Sequence, residues 1–162
     1  MTFQVGDKIA HPLHGAGIIE RMETRRVNGR EKEYYVLKLP GGDMVVMIPT
    51  DTCGEIGVRP IVNPQEIEKL FSAIPALETD MTANWNKRYR ENMMRIRSGD
   101  MLEVASVIKS LMHREIERGL STGERRMLHS AKRILLSEIV MANDASMEEA
   151  EARLDACMKK MQ

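Results

Sequence analysis

Gly17-Ile-Ile-Glu-Arg-Met-Glu-Thr-Arg25, then Asn28-Gly29, then Glu33-Tyr-Tyr-Val-Leu-Lys-Leu39 is the stretch whose reading decides the fold. Two apolar-biased runs flank an Asn-Gly pair. Both residues of that pair tolerate positive φ, as the tightest hairpin turns require. The first run is long enough for a strand that bends. Working outward, Lys8-Ile-Ala-His11 reads as a strand before a turn around Pro12 to Gly15. On the other side, Gly41-Gly42 makes a second tight turn into Asp43-Met-Val-Val-Met-Ile48, and Pro49 ends that strand. Short strands joined by tight turns within about 60 residues predict a small, strongly bent antiparallel sheet or barrel.

The composition changes near residue 62. Gly and β-branched residues give way to Ala, Met, Leu, Glu and Arg, the contrast between strand-rich and helix-rich chain. Asn63 before Pro64 predicts a capped helix to about Ala73. A second helix is expected from about Thr82 to Arg97, stopped by Ser98-Gly99. Asp100 caps a third that ends at Gly119. Ser121-Thr-Gly-Glu124 and Ser146-Met-Glu-Glu149 are capping-box patterns opening two more. Apolar stripes support this: Leu102, Ala105, Ile108, Leu111 and Met112, then Met127, Leu128, Ala131, Ile134, Leu135 and Ile139. The expected architecture is α+β with two domains: a β domain over residues 1–61 and a compact all-α bundle of about five helices over residues 62–162.

The 162 residues are 43% hydrophobic and 30% charged, which suits a folded chain rather than a disordered one. Formal net charge is +0, so any electrostatic partner must be met by a local patch. The two cysteines, Cys53 and Cys157, are far apart and in no motif. The opening residues carry no basic-then-apolar signal, and no stretch reaches the roughly 18 apolar residues of a membrane helix. A cytoplasmic protein without membrane contact is expected.

Catalysis finds little support. His11 and His14 flank Pro12 in a turn, with no cysteine or carboxylate cluster beside them. His113 and His129 sit in charged helical stretches. Gly41-Gly42 lies between strands rather than before a helix, so it is no phosphate loop. No Ser or Cys lies in a nucleophile elbow. No metal, no cofactor and no enzymatic activity are expected.

The charge distribution says more. From Met81 to Arg97 five cations, Lys87, Arg88, Arg90, Arg95 and Arg97, face one carboxylate, Glu91. Asp80 lies just before this segment. The last helix is acidic, with Asp144, Glu148, Glu149, Glu151 and Asp155. A basic helix can neutralise phosphates by releasing their counterions; it can equally be a solvated face. Trp85, the single tryptophan, stands in this segment, with Arg88 at i+3 and Tyr89 at i+4. An apolar ring among cations is the layout of a minor-groove wedge, or of a platform for an unpaired base. Packing on Met81 and Tyr89 would instead make Trp85 a core anchor and the chain a protein-only adaptor. A lone wedge binds weakly, so a second anchor is needed, and an edge strand of the sheet can supply one.

Several segments resemble the CarD/CdnL family of bacterial transcription regulators, whose N-terminal module is shared with the transcription-repair coupling factor. They are Phe3-Gln-Val-Gly-Asp-Lys8, His11-Pro-Leu-His-Gly-Ala-Gly17, Glu23-Thr-Arg25, Lys32-Glu-Tyr-Tyr-Val-Leu-Lys38 and Ile48-Pro49. In the second half they are Asn84-Trp-Asn-Lys-Arg-Tyr-Arg90, Ser98-Gly-Asp100 and Glu117-Arg-Gly-Leu-Ser-Thr-Gly-Glu-Arg-Arg-Met-Leu128. The resemblance implies a Tudor-like β-barrel that binds the β-subunit lobe of RNA polymerase, with Arg25 in the contact. It implies a helical domain on promoter DNA near the −10 element, at the upstream edge of the transcription bubble. There Trp85 would wedge into the minor groove while Lys87, Arg88 and Arg90 hold the backbone, and the open complex would be stabilised. Arg95 and Arg97 extend the same basic helix. Met47 takes the place where a second basic polymerase contact is expected, which implies a lobe contact that is either more apolar or of different strength. A monomer associated with the nucleoid through polymerase is the expected state.

Overall fold

Asn28 and Gly29 adopt φ of 52° and 77°, the two-residue turn whose twist matches that of the flanking strands. In the computed structural model, which describes residues 2–79 and 83–159, this turn joins strands β2 (Gly15–Val27) and β3 (Arg30–Lys38). Strand β1 (Lys8–His11) precedes them and β4 (Val45–Pro49) follows. A single helical turn, α1 (Cys53–Ile56), leads to the two-residue strand β5 (Arg59–Pro60). All pairings are antiparallel, in the order β4-β3-β2-β1-β5.

The register shifts between Ile19 and Arg21. This bulge bends β2, as its length suggested. The sheet nevertheless stays open. β4 pairs only with β3, and β5 pairs only with β1, so β4 and β5 remain edges rather than closing a barrel. The physical reason is length: β5 offers two residues, too few to bridge to β4. Phe3, Ile9, Ile19, Tyr35, Leu37 and Ile48 form the core on one face. Beyond that core the β2–β3 hairpin projects into solvent, and residues 24–31 are all exposed.

The helices are punctuated largely as the caps predict. α2 spans Pro64–Ala73, with the Asn63 side chain accepting from the Glu66 N–H. A 3₁₀ turn, Ile74–Ala76, follows. α3 spans Trp85–Arg97; the expected start at Thr82 lies outside the described residues. α4 spans Met101–Arg118, capped by Asp100, and α5 spans Thr122–Asn143, capped by Ser121. α6 spans Met147–Lys159, its Glu149 N–H donating to Ser146 Oγ at 3.1 Å. Their apolar faces meet in one core that includes Ile67, Phe71, Ile108, Leu111, Leu135 and Leu154. Leu102 departs from its expected place and is exposed, while Val104 is buried in its stead and Ala105 keeps its place on the stripe. Lys109 is buried in the bundle, where its ammonium donates to the carbonyls of Ile74, Pro75 and Leu77 at 2.8–2.9 Å. It thereby fixes the chain leaving the 3₁₀ turn, and burial lowers its pKa. Among the described residues no helix is long and apolar enough to cross a membrane.

The two cores are joined through α5. Gly15, at φ +95°, lies so close to it that a Cβ there would collide with the Ser137 hydroxyl. That hydroxyl accepts from the Ala16 N–H at 2.7 Å. One residue on, Glu138 receives both Nη atoms of Arg59 from β5, at 2.7 and 2.9 Å, and the Val62 N–H at 3.0 Å. This bidentate bond, working against burial, raises the Arg59 pKa. Lys8 completes the joint by donating to the Met141 carbonyl at 3.0 Å.

Candidate nucleic-acid interface

Asn84 sets the position of Trp85. Its backbone is extended, and its Oδ1 accepts from the Lys87 N–H at 3.0 Å, so the helix begins at Trp85. Side chains lean toward the helix N-terminus, which carries the indole to the end of α3, beside the start of α5. There it stacks on Tyr89, one turn later, with centroids 4.9 Å apart and planes 17° apart. The indole Nε1–H donates to Ser121 Oγ at 3.1 Å. Gly123 lies against both rings: a Cβ there would sit 3.7 Å from Trp85 and from Tyr89, in ordinary van der Waals contact. Trp85 stays 42% exposed. It is therefore anchored at an edge and open to solvent, not a core residue. Met81, its other expected neighbour, lies outside the described residues.

Arg88 requires a correction. The sequence places it among the phosphate-contacting cations, yet it is only 2% exposed. Its Nε donates to Glu124 Oε2 at 2.9 Å and its Nη2 to Oε1 at 3.3 Å, while Nη1 donates to the Ala83 carbonyl at 3.3 Å. A guanidinium held this way inside the protein cannot reach a phosphate. Glu124 also departs from its capping-box reading. Its N–H does donate to Ser121 Oγ at 3.2 Å, but its carboxylate turns to Arg88 and to the Ser121 hydroxyl. Burial alone would raise the Glu124 pKa; the hydrogen bond and charge of Arg88, with smaller help from Arg114 and Ser121, outweigh it and hold the carboxyl below its usual range.

The other cations of α3 face outward to differing degrees. Lys87 is exposed, its ammonium 4.0 Å from Glu91. Arg90 and Arg97 are exposed, and their seven-residue spacing aligns them along one stripe of the helix. Arg95 is about one-third exposed and lies 3.6 Å from Glu103. The structure thus gathers Lys87, Arg90 and Arg97 on the solvent side, leaves Arg95 at the margin, and removes Arg88.

Strand register places the two remaining candidates, Arg25 and Met47, in the sheet. Arg25 pairs with Lys32, and Met47 with Val36, which in turn pairs with Arg21. Alternate residues share a face, so Arg25 and Met47 lie on the same side of the sheet, opposite its core. Arg25 is exposed and bonded to Glu23 Oε2 at 3.0 Å. Met47 is half-buried on the edge strand β4, beside the exposed Val45 and Met44.

Comparison with known proteins accounts for both halves. The family model described as CarD-like/TRCF RID domain matches residues 3–62, and that described as CarD, C-terminal domain matches residues 69–155. A Bacillus subtilis (strain 168) protein, YdeB, named as a candidate transcription factor, is 34% identical over 137 residues, which cover 85% of this chain and 90% of that protein. The chain belongs to the CarD family. This is a family of transcription regulators, generally non-enzymatic, that implies interaction with RNA polymerase.

In this CarD-family chain His11 has a structural role, while His14 is exposed. His11 is buried, and its Nδ1 accepts from the Leu13 N–H at 3.0 Å. Burial first, and His14 second, lower the His11 pKa to about 4. The two rings lie 4.6 Å apart, and among the described residues no group of His, Cys, Asp and Glu is arranged to hold a metal. Sequence reasoning missed Ser121 and the real partner of Glu124. The capping-box pattern named both residues but could not show that an indole and a guanidinium, each 36 residues away, would meet them.

Proposed function

We propose that this CarD-family chain regulates transcription by holding RNA polymerase and promoter DNA at once. Residues 1–61 form the polymerase-binding unit, which engages the β-subunit lobe through the sheet face of Arg25 and the β4 edge of Met47. Residues 62–162 form the DNA-interacting unit, placed near the −10 element at the upstream edge of the bubble. Trp85 enters the minor groove there, while Lys87, Arg90 and Arg97, with Arg95 at the margin, meet backbone phosphates. The chain acts as a cytoplasmic monomer, associated with the nucleoid through polymerase.

One observation carries this reading: the single tryptophan is 42% exposed, stacked and hydrogen-bonded in place, at the end of a helix with an outward cationic stripe. Inserting a ring at a base step costs about a few kcal/mol of stacking, and less where the stack is already disrupted. A bubble edge is such a place. A protein shifts the open–closed equilibrium only by its difference in affinity for the two states, and about 1.4 kcal/mol of difference is tenfold. Tethering to polymerase raises the local concentration of the wedge, so weak DNA affinity suffices. The formal net charge of +0 limits binding elsewhere on the chromosome. Met47 makes the lobe contact more apolar than a basic residue would.

The test is the lifetime of competitor-challenged open complexes. Wild-type protein lengthens it several-fold, and Trp85→Ala removes the effect with unchanged circular dichroism. Equal lifetimes for wild type and Trp85→Ala would overturn the wedge.

A further inference from the structure

We infer that the Ser121 hydroxyl is a positioning group for Trp85: it fixes the indole in its outward pose before DNA arrives. This rests on the wedge reading above and deepens it. Ser121 Oγ accepts two hydrogen bonds, from the indole Nε1–H at 3.1 Å and from the Glu124 N–H at 3.2 Å. Its own proton points at Glu124 Oε1, 3.4 Å away. A hydroxyl has one donor and two acceptor sites, so all its capacity is used and its orientation is determined.

The support continues inward. Glu124 is locked by Arg88, and Arg88 also bonds the Ala83 carbonyl just ahead of α3. Both ionic side chains are at most 3% exposed. The start of α3 and the start of α5 are thus clamped together under the ring. Trp85 receives one contact from each: Tyr89 along its face and Ser121 at its nitrogen. The remaining surface of the ring is what it can offer to a base step. An exposed aromatic side chain without such a clamp samples several rotamers and loses that freedom on binding. Ser121 removes this loss in advance, at the cost of nothing but an N-cap residue the helix needs anyway.

The inference separates from simple helix capping because glycine replaces serine at an N-cap with little loss of stability. Ser121→Gly therefore deletes the indole bond, and with it the hydroxyl's bond to the Glu124 N–H, at little cost in helix stability. Trp85 is the single tryptophan, so its fluorescence reports this one ring without interference. Ser121→Gly is expected to lower the steady-state anisotropy of Trp85 emission and raise its quenching by acrylamide. It is also expected to forfeit part, but not all, of the several-fold lengthening of the open-complex lifetime, with a thermal midpoint close to wild type. Ser121→Thr keeps the hydroxyl and restores both readouts. Ser146→Gly, the same change at the cap of α6, leaves both at wild-type values. Wild-type anisotropy or wild-type lifetime in Ser121→Gly overturns the inference, as does an equal loss in Ser146→Gly or a failure of Ser121→Thr to restore. Trp85→Ala runs in parallel. If it too leaves the lifetime unchanged, the wedge reading fails; if it abolishes the effect while Ser121→Gly does not, only the positioning role fails.

Discussion

Two arginine–glutamate pairs hold this molecule together, and they differ in a way that maps onto its two tasks. Arg88–Glu124 clamps the starts of α3 and α5 beneath Trp85, with side chains 2% and 3% exposed. Arg59–Glu138 ties β5 to α5 at the joint between the sheet and the bundle, with side chains 34% and 6% exposed. Both carboxylates belong to α5. They are fourteen residues apart, about 21 Å along the axis and nearly on one face. One helix therefore serves as a spine, presenting the tryptophan at one end and the sheet toward the other. The sealed pair provides rigidity where a ring must be aimed. The half-open pair provides connection where two units meet, and water can substitute for part of it.

The largest expected effect tests the sealed pair. Arg88→Met leaves Glu124 buried and uncompensated, which costs about 3–5 kcal/mol, read by chemical denaturation. Trp85 emission should also become easier to quench. A loss below about 1 kcal/mol would mean that the pair contributes no more than a surface bridge and that the contrast in burial is idle.

The next effect concerns acid and the joint. His11 lines the same cleft as Arg59 and Glu138. The unfolded imidazole binds its proton near pH 6.5, the folded one only near 4. Between those values the unfolded chain takes up more protons, so stability falls as pH drops. The contribution is complete above about pH 6.5 and gone below about 4, amounting to about 3 kcal/mol at roughly 1.4 kcal/mol per pKa unit. His11→Asn, which can still accept from the Leu13 N–H, should flatten the pH dependence of the denaturation midpoint in that window. An unchanged slope would assign the acid sensitivity to other groups.

Arg59→Met is the matched change at the open pair. Solvent screening of a group about one-third exposed limits its cost to about 1–3 kcal/mol. Equal losses for Arg59→Met and Arg88→Met would break the comparison, since exposure would then explain nothing. Smallest in stability terms is Arg25→Glu, on the solvated hairpin. It should leave the denaturation midpoint and Trp85 emission unchanged while weakening capture of the polymerase β lobe tenfold or more, about 1.4 kcal/mol. Undiminished capture would move the contact elsewhere.

What the sequence makes legible follows the reach of its signals. Local chemistry is read well. Asn28-Gly29, Asn63-Pro64, Asp100, Ser121 and Ser146 each act through neighbours a few residues away, and each forms the turn or cap its type predicts. Pairings between distant elements are read poorly. Arg88 looked like a DNA contact because the sequence gives its charge and not the carboxylate that meets it. The joint was missed altogether, though it left a trace. Ser137 and Glu138 interrupt the apolar run Ile134 to Val140 and are buried within it. Two polar residues in a core stripe require partners, and these came from β2, β5 and the chain after it. The two-residue β5 carried no periodicity to read. Barrel closure was over-read for a similar reason: strand count is local, whereas closure depends on edges far apart in the chain.

The central claim is the address of Trp85 at the upstream edge of the bubble. The most direct measurement replaces the base there with 2-aminopurine, whose fluorescence responds to stacking, in promoter complexes with polymerase. In complexes already driven fully open, so that no further melting contributes, wild-type protein should change that signal at the upstream edge and leave a probe at the downstream edge unaffected, and Trp85→Ala should produce no change at either. A signal that responds equally to wild type and Trp85→Ala, or only at the downstream probe, would contradict the account.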